Sequence, residues 1–151
     1  MIDSTDCSTP VTLLPGGGRP LRVHGNQWSI KVTGAQTAGA LAVTEATFAP
    51  GAGAPHHLHR AHEECFYVLS GRFRFRAGEA SISADTGSFF YVPRNVAHSF
   101  ENIGETPGRL LGIITPAGYE QYFIEMNDLP PGSPDVGTLT AIFSKYDHEL
   151  A

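Results

Sequence analysis

Glycine and proline interrupt the apolar segments of this sequence at short intervals, and this punctuation limits the folds that the chain can form. The 151 residues include 17 glycines and 11 prolines. Between them lie short apolar segments, of which residues 64–69 are the strongest strand candidate. Residues 72–76 alternate arginine with phenylalanine, which is the period-two pattern of a half-buried strand. The sequence therefore predicts an all-β sandwich or barrel.

The same pattern predicts where the individual strands lie. We expect strands at residues 21–23, 28–32, 41–48, 57–59, 64–69, 72–76, 89–92, 96–102 and 110–114. After them, Thr115 and Pro116 form a suitable cap and first position for a helix, and a second helix is expected to begin at residues 133–135. Aromatic residues recur at helical spacing in both segments, and we expect them to pack on the sheet.

The domain organisation predicted from these patterns has three parts. Residues 1–20 form an N-terminal extension, residues 21–115 the β-barrel, and residues 116–151 a short C-terminal helical segment that packs on it. A chain of this length suffices for one domain with one core.

Composition excludes several classes of function. The net charge of -5 and the lack of a basic stripe argue against a nucleic-acid partner. No apolar run approaches the ~18 residues of a membrane span. Residues 1–6 lack the basic and apolar regions of a signal peptide. The two cysteines, Cys7 and Cys65, do not make a disulfide framework, so a reduced, cytoplasmic protein is expected.

Two groups of residues with metal-binding side chains stand within the strand pattern. The first combines two histidines and a carboxylate between two glycines: Gly51, His57, His59, Glu64 and Gly71. The second places one histidine between turn residues and an asparagine: Gly87, Pro93, Asn95, His98 and Asn102. Imidazole and carboxylate groups together bind divalent transition metals.

Strand geometry selects the residues that face the same way. Side chains alternate along a strand, so His57 and His59 share a face, whereas His56 and His59 do not. A tight turn at residues 60–63 can fold the chain back, so that Glu64 heads the returning strand. If the strands present these faces and that of His98 to one interior, three imidazoles and one carboxylate converge.

Other assignments of the ligands stay open. His62 and Glu63 are rival ligands, although both are expected to be turn residues. His24, His56 and His148 are expected to be surface or locally bonded histidines. Cys65 points away from the histidine face, and the sequence has no Gly-x-Ser-x-Gly elbow, so nucleophilic catalysis has no support.

These two groups of residues match the two cupin motifs in spacing and order, so the sequence resembles the cupin superfamily. One position departs, because Asn95 stands where the second motif has an inner glycine. Asparagine tolerates the left-handed backbone conformation better than most residues, so the departure is mild. The motifs span residues 51–102. The remainder of the chain more loosely resembles single-domain cupins of the quercetin 2,3-dioxygenase-like group.

The resemblance implies a cupin jelly-roll β-barrel and a set of metal ligands. The resemblance implies that His57, His59, Glu64 and His98, which occupy the ligand positions of the cupin motifs, bind one divalent transition metal. This metal could be Fe, Mn, Ni, Co, Cu or Zn. Glu64 is also expected to be catalytic as a general base. Cupins of this size commonly pair, so a homodimer through the exposed strands at residues 21–32 is expected.

The reaction predicted first is that of a metal-dependent dioxygenase, which uses O₂ to cleave a small enol or flavonol-like aromatic substrate. Phe66, Val68 and Phe100 share faces with the ligands and are expected to contact this substrate, and residues 73 and 75, or else 89 and 91, could add to the pocket. Two alternatives remain: a non-redox metal-dependent isomerase, cyclase, dehydratase or decarboxylase, and a cupin that binds a small molecule without catalysis.

Overall fold

In the computed structural model, residues 7–151 are described; the expectation that no signal peptide is present concerns residues 1–6, which lie outside this range. The described residues form β-strands, two α-helices and a short 3-10 helix at Gly34–Thr37. The strands are β1 (Arg19–Val23), β2 (Asn26–Val32), β3 (Ala42–Phe48), β4 (Gly53–Leu58), β5 (Glu63–Ser70), β6 (Arg72–Ala77), β7 (Ala80–Asp85), β8 (Phe89–Val92), β9 (His98–Asn102), β10 (Gly108–Thr115) and β11 (Glu149–Leu150). The helices are α1 (Glu120–Asn127) and α2 (Val136–Lys145).

These strands build two antiparallel sheets. One sheet has the order β1-β2-β3-β10-β5-β8 and the other the order β11-β4-β9-β6-β7. Strand neighbours far apart in sequence, such as β4 with β9, are typical of a jelly roll. The predicted all-β jelly-roll fold with a short C-terminal helical tail is therefore confirmed, although hydrogen bonds do not join the two sheets into one closed barrel.

Alternation along the strands fills the space between the sheets with aromatic side chains. On β6, Phe73 and Phe75 point inward while the three arginines of the same strand point out. They pack with Phe48, Phe66 and Phe100, so a phenylalanine-rich cluster forms the core. Arg72 and Arg74 pair with exposed carboxylates, as expected for a solvated strand face.

A second cluster joins the six-stranded sheet to the C-terminal tail. Its buried members come from β1, β2, β3 and β10 on one side and from both helices on the other. Phe123 of α1 stacks on Trp28 of β2, with ring centroids 4.2 Å apart. Aromatic residues of α1 thus pack on the sheet, whereas Phe143 of α2 packs against Tyr122 of α1. The three-part division of the chain stays a prediction.

The structure corrects two local expectations. Strands β4 and β5 lie in different sheets, so the turn between them carries the chain across the sandwich and does not form a hairpin. Thr115 is the last residue of β10, and the first helix begins at Glu120 with Tyr119 as its cap, not at the predicted Thr115–Pro116. The second helix begins as expected, because the Asp135 side chain caps it by accepting a hydrogen bond from the backbone N–H of Thr138.

Two strands were absent from the sequence prediction, and their composition explains why. In β7 only Ala84 is buried, so no apolar alternation marks this strand. Strand β11 has two residues, both exposed, and exists because it pairs with β4. Within residues 7–151, no helix has the length and apolar character needed to cross a membrane. Both cysteines are free.

Candidate metal centre

Four side chains from three strand segments meet between the sheets. His57 lies on β4 and His98 directly opposite it on β9, with ring centroids 4.4 Å apart. His59 follows the end of β4, and Glu64 reaches across from β5 in the other sheet. All four are buried, and one ligand atom of each lies within 4.8 Å of the others. The structure thus brings together all four residues that the sequence predicts as ligands.

Backbone carbonyl groups orient each of the three imidazoles. The Nδ1 atom of His57 lies 2.6 Å from the Pro55 carbonyl, that of His59 2.7 Å from the Asp147 carbonyl, and that of His98 2.9 Å from the Val96 carbonyl. Because a carbonyl only accepts hydrogen bonds, each Nδ1 carries the proton. In the neutral ring, Nε2 then offers a lone pair, which is the form in which histidine binds metals.

The lone pairs and the carboxylate face one another, and this arrangement fits a cation. The Nε2 atoms of His98 and His59 lie 3.1 and 3.5 Å from the same oxygen of Glu64. The Nε2 atom of His59 is buried without a hydrogen-bond partner. Three lone pairs and a negative charge repel each other unless positive charge lies between them. The three imidazole nitrogens and the carboxylate therefore fit a divalent transition metal, and they belong to the four residues predicted as its ligands.

The acid–base properties of the cluster agree with its attraction for positive charge. Burial alone would raise the pKa of Glu64, but the imidazoles of His59, His62 and His98, when a proton takes the place of a metal on the facing Nε2 atoms, hold it well below its ordinary value. The pKa of His59 is raised despite burial, because its ring faces Glu64. Burial, together with the nearby His98, lowers the pKa of His57 to about 4, so this ring stays neutral and ready to bind a metal.

The rival ligands take other partners. Glu63 is the first residue of β5 and pairs with Arg94 at 3.1 Å, so its carboxylate is directed away from the cluster. His62 is buried rather than exposed in a turn; its Nδ1 lies 3.0 Å from the Asp147 carboxylate, and its Nε2 lies 3.9 Å from Glu64. His56 and His24 are locally bonded as expected, to Ser99 and Tyr122.

A cavity of about 260 Å³ opens beside the cluster and includes His57 and Glu64 in its wall. Phe66 and Phe100 line it, as predicted for substrate-binding residues, whereas Val68 is fully buried in the core and lies outside the cavity wall. Phe73 and Phe75 are also core residues, and Phe89 and Tyr91 are exposed on the other face. The other wall of the cavity belongs to the C-terminal tail, through Tyr119, Tyr122, Phe123, Phe143 and His148.

The C-terminal tail contributes to this site in a way that no sequence pattern indicates. His148 stacks on His57 with ring planes 2° apart, and its Nδ1 lies 2.7 Å from the Tyr119 hydroxyl. It is locally bonded as expected, but it lines the cavity and is not a surface residue. Burial beside His57 lowers the pKa of His148 to about 3, so it is neutral. Contacts between residues more than 80 positions apart leave no local pattern that could reveal them.

Comparison with known proteins gives the same family as the motifs. A family model described as a cupin domain matches residues 44–114, which include both motifs. Quercetin 2,3-dioxygenase of Aspergillus japonicus is 34% identical over an alignment of 86 positions that covers 48% of this chain and 24% of the fungal protein. Protein SchB of Streptomyces halstedii is 32% identical, with 52% of this chain and 56% of SchB covered. The chain thus spans roughly a quarter to a half of these curated relatives.

Solved structures share the fold at low sequence identity. An RmlC-like cupin from Shewanella frigidimarina superposes with a TM-score of 0.63 at 21% identity, covering 75% of this chain and 96% of that one. KdgF from Halomonas sp. superposes with a TM-score of 0.58 at 21% identity, covering 64% and 84%. Residues 44–114 of this chain match a cupin domain, and the distant similarity to a quercetin 2,3-dioxygenase supports a quercetinase-like cupin.

Proposed function

We propose that this protein is a metal-dependent dioxygenase that uses O₂ to cleave a small enol or flavonol-like aromatic substrate. The observation that carries the proposal is the opening of the buried cluster of three histidines and one glutamate onto a cavity walled by aromatic rings. The similarity to a quercetin 2,3-dioxygenase supports the reaction class.

The metal would be held by His57, His59, Glu64 and His98. A bound divalent transition metal acts as a Lewis acid toward a deprotonated oxygen of the substrate. The chain itself fixes the three imidazoles through their Nδ1 protons, so that little reorganisation is needed when the site fills. Fe, Mn, Ni, Co, Cu and Zn all accept these ligands, and elemental analysis of protein purified without a chelating tag identifies the metal.

The cavity favours a small, flat and largely apolar substrate. Its volume of about 260 Å³ lies just below the ~300–1,000 Å³ range of most small-molecule sites. Phe66 and Phe100 wall it from the sheets, and Tyr122 and Phe123 wall it from the tail. Aromatic walls on both sides suit a planar ring system, since offset or edge-on ring contacts add to its burial.

Glu64 serves better as a ligand than as a base in this arrangement. A carboxylate that binds a cation has little affinity for a proton, because the positive charge stabilises its ionised form. For Glu64 to act as the predicted general base, it would have to move away from the surrounding imidazoles when the substrate binds. Its catalytic role therefore stays a prediction that is separate from its role as a ligand.

Oxygen uptake with a matched pair of substrates tests the proposal. A flavonol carries an enolic hydroxyl, whereas the parent flavone lacks it but has the same ring system. We expect the metal-loaded protein to consume O₂ with the flavonol only and, with ¹⁸O₂, to place both labelled atoms in the cleavage products. Conversion of an enolisable substrate without O₂ uptake would favour the non-redox alternative. Binding without turnover of any enolisable compound would favour a small-molecule-binding cupin.

A further inference from the structure

Asp147 of the C-terminal tail contacts both the predicted ligand His59 and the turn that follows it. Asp147 lies between α2 and β11, with a backbone φ of 58°. Its carbonyl oxygen accepts the Nδ1 proton of His59 at 2.7 Å. It is thus the group that fixes the tautomer and ring orientation of one predicted ligand, although 88 residues separate the two in sequence.

The side chain of Asp147 holds the turn that joins His59 to Glu64. One carboxylate oxygen accepts a hydrogen bond from the backbone N–H of Arg60 at 2.8 Å. The other accepts from the backbone N–H of Ala61 at 2.7 Å and from Nδ1 of His62 at 3.0 Å. Both carboxylate oxygens therefore accept hydrogen bonds from residues 60–62, the turn that joins the two sheets.

His62 extends these contacts to the centre of the cluster. Its ring packs on that of His59, with centroids 4.1 Å apart. Its Nε2 atom is buried, has no hydrogen-bond partner, and lies 3.9 Å from a Glu64 oxygen. His59, His62 and Asp147 also form a group with the spacing of a metal site. The Nδ1 atoms of both histidines are already bonded to Asp147, however, so this group orients ligands and does not form a second centre.

We infer that Asp147 is a positioning residue of the metal centre, which acts through His59 and through the turn at residues 60–62. This inference rests on the proposed metal site and adds a part of it that lies outside both histidine motifs. Removing a group that orients a metal ligand lowers metal affinity by about 10–100-fold. The C-terminal tail then contributes to metal retention as well as to the cavity wall.

Two substitutions separate the side chain from the backbone conformation. Asp147→Asn keeps the size and tolerates a positive φ, but it replaces one accepting oxygen with an NH₂ group that faces N–H donors. Asp147→Gly keeps the conformation and removes the side chain. Glu149→Gln is the matched control, because the exposed Glu149 carboxylate pairs with the Arg60 side chain rather than with a predicted ligand.

The experiment is a Co(II) titration of chelator-treated full-length protein, followed by absorption spectroscopy. We expect Asp147→Asn and Asp147→Gly to bind Co(II) about 10–100-fold more weakly, with altered ligand-field bands, and Glu149→Gln to match the wild type. Weaker Co(II) binding with wild-type ligand-field bands would indicate a general loss of stability and would overturn the positioning role. Wild-type affinity and bands in both Asp147 variants would overturn the inference.

Two further measurements make the outcome decisive. If the wild-type protein itself binds no Co(II), then the proposed metal site fails, independently of Asp147. In metal-free wild-type protein, ¹⁵N NMR should show protons on Nδ1 of both His59 and His62. An unprotonated Nδ1 on His59 would overturn the inference without any variant, and circular dichroism verifies that each variant is folded before its titration.

Discussion

At the scale of single residues, two-residue spacing on a strand decides which histidines meet. His57 and His59 are buried beside Glu64, whereas His56, one position away, lies on the other face and bonds to Ser99. The alternation of side chains is a property of any strand, so the choice could be made from sequence. The same rule placed His98 and Phe100 on one inward face of β9.

Removal of single ligands should empty the centre and leave the fold intact. We expect His57→Ala and His98→Ala to lose the bound metal and the activity, because each removes one of four ligands. Neither side chain belongs to the apolar clusters of the core, so circular dichroism should be unchanged. Elemental analysis measures the metal content. His56→Ala should keep it, and full metal content in both ligand variants would contradict the assignment.

Asn95 illustrates a motif departure that backbone conformation explains. Its φ is 65°, so the residue adopts the left-handed conformation that the usual glycine would adopt. We expect Asn95→Ala to lower the free energy of unfolding by about 1 kcal/mol, since a Cβ without a compensating polar group is strained there. Asn95→Gly should change it little. Equilibrium denaturation measures both, and equal stability of the two variants would show that φ is not the cause.

At the scale of the elements, the tail has a function that its helical periodicity does not indicate. Apolar residues of α1 pack on the sheet, while α1 and the segment after α2 also wall the cavity, and the Asp147 carbonyl in that segment bonds to His59. Strand β5 has the expected position along the chain, whereas β4 is Gly53–Leu58 and ends before His59, and the two strands lie in opposite sheets. Periodicity shows which face of an element is buried, but it does not identify the element that covers it.

The packing of α1 on β2 can be tested by replacing phenylalanine with alanine at one buried and one exposed position. Phe123 is 7% exposed and stacks on Trp28, whereas Phe89 is 59% exposed. We expect Phe123→Ala to lower the free energy of unfolding by about 3 kcal/mol, because it removes a buried ring and leaves a larger cavity. Phe89→Ala should stay within about 0.5 kcal/mol of the wild type. Urea denaturation of both decides the matter, and similar losses would contradict the packing described here.

At the scale of the whole molecule, the predicted metal links the two sheets. His57, His59 and His98 belong to β4, its end and β9, while Glu64 belongs to the other sheet. A ligand that binds only the folded state adds about 2.7 kcal/mol when it is present at a hundredfold excess over its Kd. We therefore expect a chelator to lower the thermal unfolding midpoint while the circular dichroism of the folded protein stays the same. His57→Ala should not respond to the chelator, and a response equal to that of the wild type would place the metal elsewhere.

The predicted homodimer remains open to a direct measurement. Of the expected edge at residues 21–32, only the part in β1 is an edge of the six-stranded sheet, because β2 pairs with both β1 and β3. The backbone N–H of Arg22 in β1 already donates to the Asn127 side chain. The tail thus caps part of this edge. Sedimentation equilibrium should give twice the chain mass of 16.2 kDa, and a monomer at all concentrations would contradict the prediction.

The strands with an apolar alternation and the two motifs, with the four ligands predicted from them, could be recognised in the amino-acid sequence. Each of these depends on neighbours a few positions apart, such as His57 and His59, or on glycines and an asparagine at turns. Local spacing fixes them because backbone geometry repeats every two residues in a strand.

The surroundings of the predicted ligands follow from the folding of the whole chain. It placed Glu64 across the sandwich from His57, buried His62, and brought Asp147 and His148 from the end of the chain to the site. These contacts depend on how the sheets and the tail pack together. The physical reason is that packing of apolar faces is not directional, so one sequence pattern is compatible with several arrangements until the whole chain has folded.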